Sequence, residues 1–201
     1  MELKKDFWSA DGEVRLATEA DKDDLIHIIS KSFVEDPCFK WLLEKSNHAA
    51  KATELSRYLV EETFVKGFAC ITRDKTAAAL WHTSTKEKVT LSYILRDLRY
   101  VFKLGLATVD RSLDLLKLKR GLSPAEDSLY LACIGVLPVA QGRGLSKKLI
   151  EPVIKRCQNS GQLVYLETAN LTNVSIYERR GFRMTDEVKM DWMTLYFMEV
   201  S

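Results

Sequence analysis

The chain has 201 residues, 46% hydrophobic and 29% charged, which is enough to bury a core in one large or two small domains and excludes a disordered chain. Thirty Lys and Arg stand against 28 Asp and Glu, so the net charge of +2 gives no general pull toward nucleic acid or an acidic membrane. Any anion must therefore be held by a local site.

Cys38, Cys70, Cys133 and Cys157 lie far apart, fit no CxxC spacing and read as buried free thiols in a reducing compartment. His27, His48 and His82 include no pair four residues apart that would aim two imidazoles at one ion, so no metal is expected. The opening MELKKDFWSADGE lacks the apolar core of a secretory signal, and no stretch approaches the ~18 apolar residues of a membrane span. The reading is a cytoplasmic protein with no nucleic-acid or membrane partner, for which a homodimer is allowed. Without repeats, low-complexity tracts or linker-like Gly and Pro clusters, residues 1–201 read as a single domain.

Along the chain, VRLAT at 14–18 alternates apolar and polar residues as an edge strand does, and Asp21 stands where it can cap a helix. Leu25, Ile26, Ile28, Ile29 and Phe33 form a helical stripe over 22–34 that stops before Asp36 and Pro37. A second helix is predicted over 39–65, with an interruption near Asn47 and a stop at Gly67. Residues 68–73 and 76–83 read as a hairpin turning at Asp74 and Lys75.

Residues 91–118 carry Leu91, Ile94, Leu95, Leu98, Val101, Phe102, Leu106, Val109, Leu113, Leu116 and Leu118 at helical spacing, predicting two helices bent at Gly105. The interspersed Arg96, Arg99, Lys103, Arg111, Lys117, Lys119 and Arg120 read as a solvated outer face. Residues 128–136, SLYLACIGV, form a nearly continuous apolar run, the mark of a central strand covered on both faces. A helix is predicted from Gln141 to about Asn159, kinked at Pro152 and ended by Gly161, then a buried strand over 163–168 in a parallel crossover. A short helix over 175–180 closes at Gly181, and residues 183–185 and 189–200 read as the final strands.

The segment from Val136 to Ser146, VLPVAQGRGLS, joins the central strand to the helix that follows. The first turn of a helix presents unpaired N–H groups and about half a positive charge, so it stabilises an anion without a lysine. Gly142 and Gly144 remove side chains where phosphate oxygens approach the backbone, and Ser146 adds a hydroxyl donor.

With these residues the chain resembles the GNAT superfamily of N-acetyltransferases. Its acetyl-CoA motif, [Q/R]-x-x-G-x-[G/A], is matched by Gln141 and Gly144, with Ser146 in place of the final small residue. Val136 and Pro138 look like the V-x-P that precedes the motif. A second signature is matched by Asn170, Tyr177, Gly181 and Phe182. The resemblance covers 128–185 and implies an α/β (α+β) fold: a central mixed, mostly antiparallel sheet with one parallel splayed pair, helices on both faces, and a helical insertion at about 91–119. It implies one acetyl-CoA-dependent domain that acetylates a primary amine of a small molecule or peptide by direct transfer, with acetyl-CoA as co-substrate.

On this resemblance Ile134, Gly135 and Val136 meet the pantetheine arm, and Gln141, Gly142, Arg143, Gly144, Leu145 and Ser146 hold the diphosphate. Asn170 and Tyr177 border the thioester end, and Asn173 also contacts the cofactor. A tyrosine hydroxyl, protonated at neutral pH, suits the leaving thiolate, which makes Tyr177 the general acid. Asp127 and Glu167 remain alternatives for the base, alongside water. Acceptor choice falls to the helices after the first strand, the 91–118 insertion, the last loop and, on one reading, Trp81.

Three other functions compete, one of them a membrane-associated adaptor working through the basic 91–118 insertion, which would make the glycine turn incidental. A dinucleotide oxidoreductase would use Gly142, Gly144 and Glu167, but Lys147 occupies the place of the third glycine. A non-catalytic acyl-CoA-binding regulator on the same fold would keep the cofactor turn and lose proton transfer.

Overall fold

The computed structural model describes residues 12–43, 47–83, 91–119, 121–122 and 128–201, with the side chains of 91–95 outside the description. Its strands are β1 (Val14–Leu16), β2 (Gly67–Thr72), β3 (Ala77–Thr83), β4 (Leu129–Val136), β5 (Val164–Thr168), β6 (Arg183–Lys189) and β7 (Thr194–Val200). They form one seven-stranded sheet in the order β1-β2-β3-β4-β5-β7-β6. Every neighbouring pair is antiparallel except β4 and β5. The mixed, mostly antiparallel sheet expected from the sequence is therefore present, with VRLAT at its edge.

The helices are α1 (Lys22–Phe33), α2 (Pro37–Leu42), α3 (His48–Lys66), α4 (Leu91–Leu104), α5 (Leu106–Leu118), α6 (Leu145–Ser160) and α7 (Leu171–Glu178). On one sheet face, Leu145, Leu149, Ile150 and Val153 of α6 pack with Phe68, Trp81, Leu129 and Leu166. On the other, Leu25, Ile28 and Ile29 of α1 and Val60 of α3 pack with Ile71, Leu80 and Cys133. A third cluster joins Phe39, Trp41 and Leu42 of α2 to Tyr100 and Leu104 of α4 and Phe197 of β7.

The parallel pair opens the sheet beside β4. Among the described residues β4 and β5 pair only at Leu129 with Val164 and Tyr130 with Tyr165, whose rings stack 4.8 Å apart at the fork. The β3–β4 register jumps from Leu80 opposite Cys133 to Trp81 opposite Leu131, making Ala132 an extra residue. A bulged strand bends, and one inserted residue reverses which face its side chains meet. Leu129 and Leu131 accordingly belong to the α6 core, and Cys133 to the α1–α3 core.

Several boundaries and faces differ from the sequence reading. The second predicted helix is split at Asn47, as anticipated, but its first part begins earlier, at Pro37, under an Asp36 N-cap. The helix expected from Gln141 starts at Leu145, because Gly144 is left-handed at φ 73° and the preceding residues form a turn. Strand β6 runs on to Lys189 and β7 starts only at Thr194, so the last strand is shorter than predicted. β4 is not covered throughout: Tyr130, Ala132, Ile134 and Val136 are half-exposed because clefts open beside it.

α4 and α5 meet at Gly105, as the spacing predicts, but much of their apolar stripe points outward, Phe102 being 88% exposed. The helix pair docks on its other side. Tyr100 meets Tyr58 edge to face at 4.8 Å, and Arg99 bonds Glu61 at 2.8 Å, which leaves Leu98, Phe102, Leu106, Leu113 and Leu116 on the free face. Leu91, Ile94 and Leu95 of the predicted stripe have side chains outside the described set.

Asp21 stands at the start of α1, yet its carboxylate does not cap the helix. It takes a two-point bond from Arg15 at 2.7 and 2.8 Å and accepts Thr18 N at 2.8 Å. The Arg15 guanidinium holds this carboxyl well below the usual carboxylate range. Its stabilising contribution is full above the ordinary carboxylate pKa and is lost as pH falls toward the depressed value. Asp21→Asn is expected to cost about 1.5–3 kcal/mol in urea unfolding at neutral pH, with the gap to wild type closing in acid.

Candidate active site

Two clefts flank β4. The larger, about 530 Å³, is bordered by Ser32, Phe33, Glu35 and Asp36, by Ile134 and Val136 of β4, by the turn before α6, and by Asn170, Thr172, Asn173, Ile176 and Tyr177. The smaller, about 180 Å³, is lined by apolar residues of α1, α2, α3 and α5, by Tyr130 to Ile134, and by Lys119, Glu167, Asn173 and Tyr177. Phe33, Asp36, Ile134, Asn173 and Tyr177 line both, so the clefts meet there.

The turn at the α6 N-terminus is built for an anion. Gln141 N donates to Pro138 O at 3.3 Å, and the helix's own bonding begins with Lys147 N to Gly144 O at 3.1 Å. Between them, the amides of Gly142, Arg143, Gly144, Leu145 and Ser146 donate no backbone hydrogen bond among the described residues. Gly142 and Gly144 hold φ of 79° and 73°, and a Cβ placed on either meets nothing within 4 Å, so the cradle is open. The first turn of α6 contains no acid. The Gln141 side chain ties the turn back to Val136 O at 3.3 Å.

The nearby cations are already engaged. Arg143 points to Asp74 at 3.3 Å and Glu13 at 3.9 Å, while Lys148 bonds Glu13 and Lys147 pairs with Glu151 at 3.6 Å. An anion in this cradle would be held by main-chain dipoles.

The other residues singled out in the sequence fall as follows. Ile134 and Val136 face the large cleft; Gly135 instead receives α1, since a Cβ there would lie 2.8 Å from Ser32 Oγ. That hydroxyl is buried without a partner among the described residues and borders the large cleft, where a polar ligand would satisfy it. The Leu145 side chain is core. Asn170 Oδ1 caps α7 through Thr172 N at 3.0 Å. Trp81 lies wholly in the core, stacked on Phe68, and touches neither cleft.

Tyr177 is buried beside Phe182, ring centroids 5.6 Å apart, yet reaches the junction of the clefts. Desolvation raises its pKa, so the phenol stays protonated well beyond neutrality. Of the two carboxylates weighed as a base, Asp127 lies outside the described residues. Glu167 is committed elsewhere: its Oε1 accepts Tyr130 OH at 2.6 Å and the Lys119 ammonium. The four cysteines are free thiols; burial pushes Cys38 and Cys70 up to about 12, which leaves them protonated and inert.

Asp36 is the residue the sequence reading missed. Its Oδ1 caps α2 through Cys38 N at 2.8 Å and Phe39 N at 3.3 Å, and it has no ion-pair partner among the described residues. Desolvation raises its pKa above the usual carboxylate value despite those two bonds. In the sequence Asp36-Pro37 reads as a helix boundary. The available signal was a carboxylate placed between Phe33 and Phe39, in an apolar setting where a charge is costly unless used.

The sheet forks at a parallel pair, and an amide-lined helix tip stands beside the fork. The family profile of the acetyltransferase (GNAT) domain matches residues 120–201. An uncharacterized N-acetyltransferase of Schizosaccharomyces pombe is 29% identical over 163 residues, 75% of this chain and 66% of the relative, so the match spans just under two thirds of that protein. The histone acetyltransferase HPA2 and related acetyltransferase of Corynebacterium glutamicum has a TM-score of 0.71 at 22% identity, covering 92% of this chain and 93% of that one. The acetyltransferase yncA of Salmonella typhimurium, solved with its cofactor acetyl-CoA, has a TM-score of 0.53 at 15% identity, covering 93% and 91%. At these identities the two structures speak for the fold. Residues 120–201 thus match the GNAT acetyltransferase domain, and the chain shares its fold with solved acetyltransferases.

Proposed function

We propose that the chain is an N-acetyltransferase whose residues 1–201 act as one domain, moving the acetyl group of acetyl-CoA directly to a primary amine. The observation that carries this reading is the meeting of the two clefts at Asp36 and Tyr177. One cleft has an anion cradle, the other apolar walls, and a base and an acid stand where they join.

Acetyl-CoA supplies an acetyl group activated as a thioester. The free amides from Gly142 to Ser146 hold its diphosphate, and Ser32 and Asn173 give polar contacts along the large cleft. A backbone N–H of β4 beside the bulge polarises the thioester carbonyl. Asp36 takes a proton from the acceptor nitrogen, and its raised pKa makes it a stronger base than an exposed aspartate. Tyr177 gives a proton to the departing sulfur, which its hydroxyl can do because burial keeps it protonated.

Thiol release and amine acetylation, followed together, test this assignment. Tyr177→Phe is expected to lower kcat by about 10²-fold with acetyl-CoA affinity retained, because only the phenolic oxygen is removed. Unchanged turnover across the pH range would remove Tyr177 from the acid role.

A further inference from the structure

Resting on the transferase reading above, we infer that the smaller cleft selects primary monoamines whose remainder is uncharged and apolar, an alkyl chain or a single aryl ring, against diamines, amino acids and peptides.

The walls set the size and polarity. Phe33, Phe39, Leu42, Leu55, Leu59 and Leu195 form the apolar part of a cleft of about 180 Å³. An apolar cavity of ~150 Å³ accommodates a benzene ring, so a ring or short alkyl chain fits and a peptide does not. Desolvating such a group against these side chains is favourable, whereas a second charge would lose its water without gaining a partner.

The distribution of charge sets the rest. Lys119 and Glu167 both line this cleft, but they are bonded to each other, and Tyr130 OH donates to the same Glu167 oxygen. Both side chains are largely shielded, Lys119 at 24% exposure and Glu167 at 10%, so each neutralises the other in a poorly hydrated wall. A second ammonium on the substrate would find Glu167 already countered by Lys119, and a substrate carboxylate would find Lys119 already countered by Glu167, so neither gains a full opposite charge. Asp36 has no ion pair among the described residues and stands at the junction with the large cleft. One ammonium is therefore matched, at the end where acetylation takes place.

The far wall comes from the helical insertion. Lys119 is the C-cap of α5 and Leu115 lies on the same helix, so the 91–118 segment closes the acceptor cleft as well as covering the fold. Lys119 is a specificity-determining residue in this reading, because its charge occupies Glu167.

The test compares matched pairs in thiol-release kinetics at neutral pH: pentylamine with cadaverine, and phenylethylamine with phenylalanine, with calorimetry of each amine on the CoA-saturated protein. The monoamine of each pair is expected to lead in kcat/KM by on the order of 10²-fold, chiefly through KM. In Lys119→Met, which frees Glu167, the pentylamine-to-cadaverine ratio is expected to fall by about tenfold, a change general loss of structure would not give. Acetylation of cadaverine or phenylalanine as efficiently as its monoamine would overturn the inference and leave the transferase reading standing. If no amine is acetylated while acetyl-CoA binds, both fall.

Discussion

Asp36→Asn is expected to lower kcat by about 10²–10³-fold while leaving acetyl-CoA affinity within a few-fold of wild type. Asparagine retains the oxygen that bonds Cys38 N and Phe39 N, and it is as good an N-cap as aspartate, so α2 should survive the change. What disappears is the carboxylate proposed as proton acceptor at the junction of the clefts. The pH profile supplies the second readout. Because burial raises the Asp36 pKa, wild-type kcat/KM should rise with pH through a point above the ordinary carboxylate value near ~3.9, and Asp36→Asn should lack that limb.

Stability should move in the opposite sense to activity. A carboxyl whose folded pKa is raised favours the native state when protonated, and this advantage is lost as pH rises through that value. At neutral pH the neutral asparagine relieves desolvation, so its Tm is expected to equal or exceed that of wild type. A fall in both Tm and kcat would mean that Asp36 matters as a cap and not as a base.

Gly144→Glu should weaken acetyl-CoA binding on the order of 10³-fold or more, measured by calorimetry. Two effects act together. At φ 73° a side chain strains the backbone by roughly 1–2 kcal/mol, and Gly144 lines the large cleft with open space around its Cβ position, so a carboxylate there adds negative charge beside the amides that would meet the diphosphate. Gly144→Ala separates the two: it carries the backbone strain without the charge and should cost far less affinity.

The parts of the site that could be read from the sequence are those made by neighbours in the chain. Gly142 and Gly144 between an apolar run and a helical stripe already specify an amide-rich turn at a helix tip, because dihedral freedom and exposed N–H groups are local properties. The same locality explains Asn47 as a helix break and Gly105 as a bend. Side chains whose surroundings come from distant segments were not legible. Asp36 acquires its place only when the α1–α2 junction lies over the fork between β4 and β5. Glu167, one of the alternatives for the base, bonds Lys119 at the end of α5, a partner that its own strand does not reveal.

The boundaries that shifted have similar causes. Ala132 gives no sign of a bulge in an apolar run, yet it decides which core Cys133 enters. The stripe over 91–118 correctly announces helices, but spacing alone does not say which apolar ridge meets α3 and which meets solvent. Arg143, close to the cradle in sequence, turns away because Asp74 and Glu13 are within reach.

The most direct measurement is a crystal structure of the protein with coenzyme A. The expected result is the diphosphate against the amides of Gly142 to Ser146, the pantetheine arm running past Ser32 and β4, and the sulfur between Asp36 and Tyr177. Coenzyme A bound with its phosphates away from the α6 tip, or with its sulfur remote from Tyr177, would contradict it.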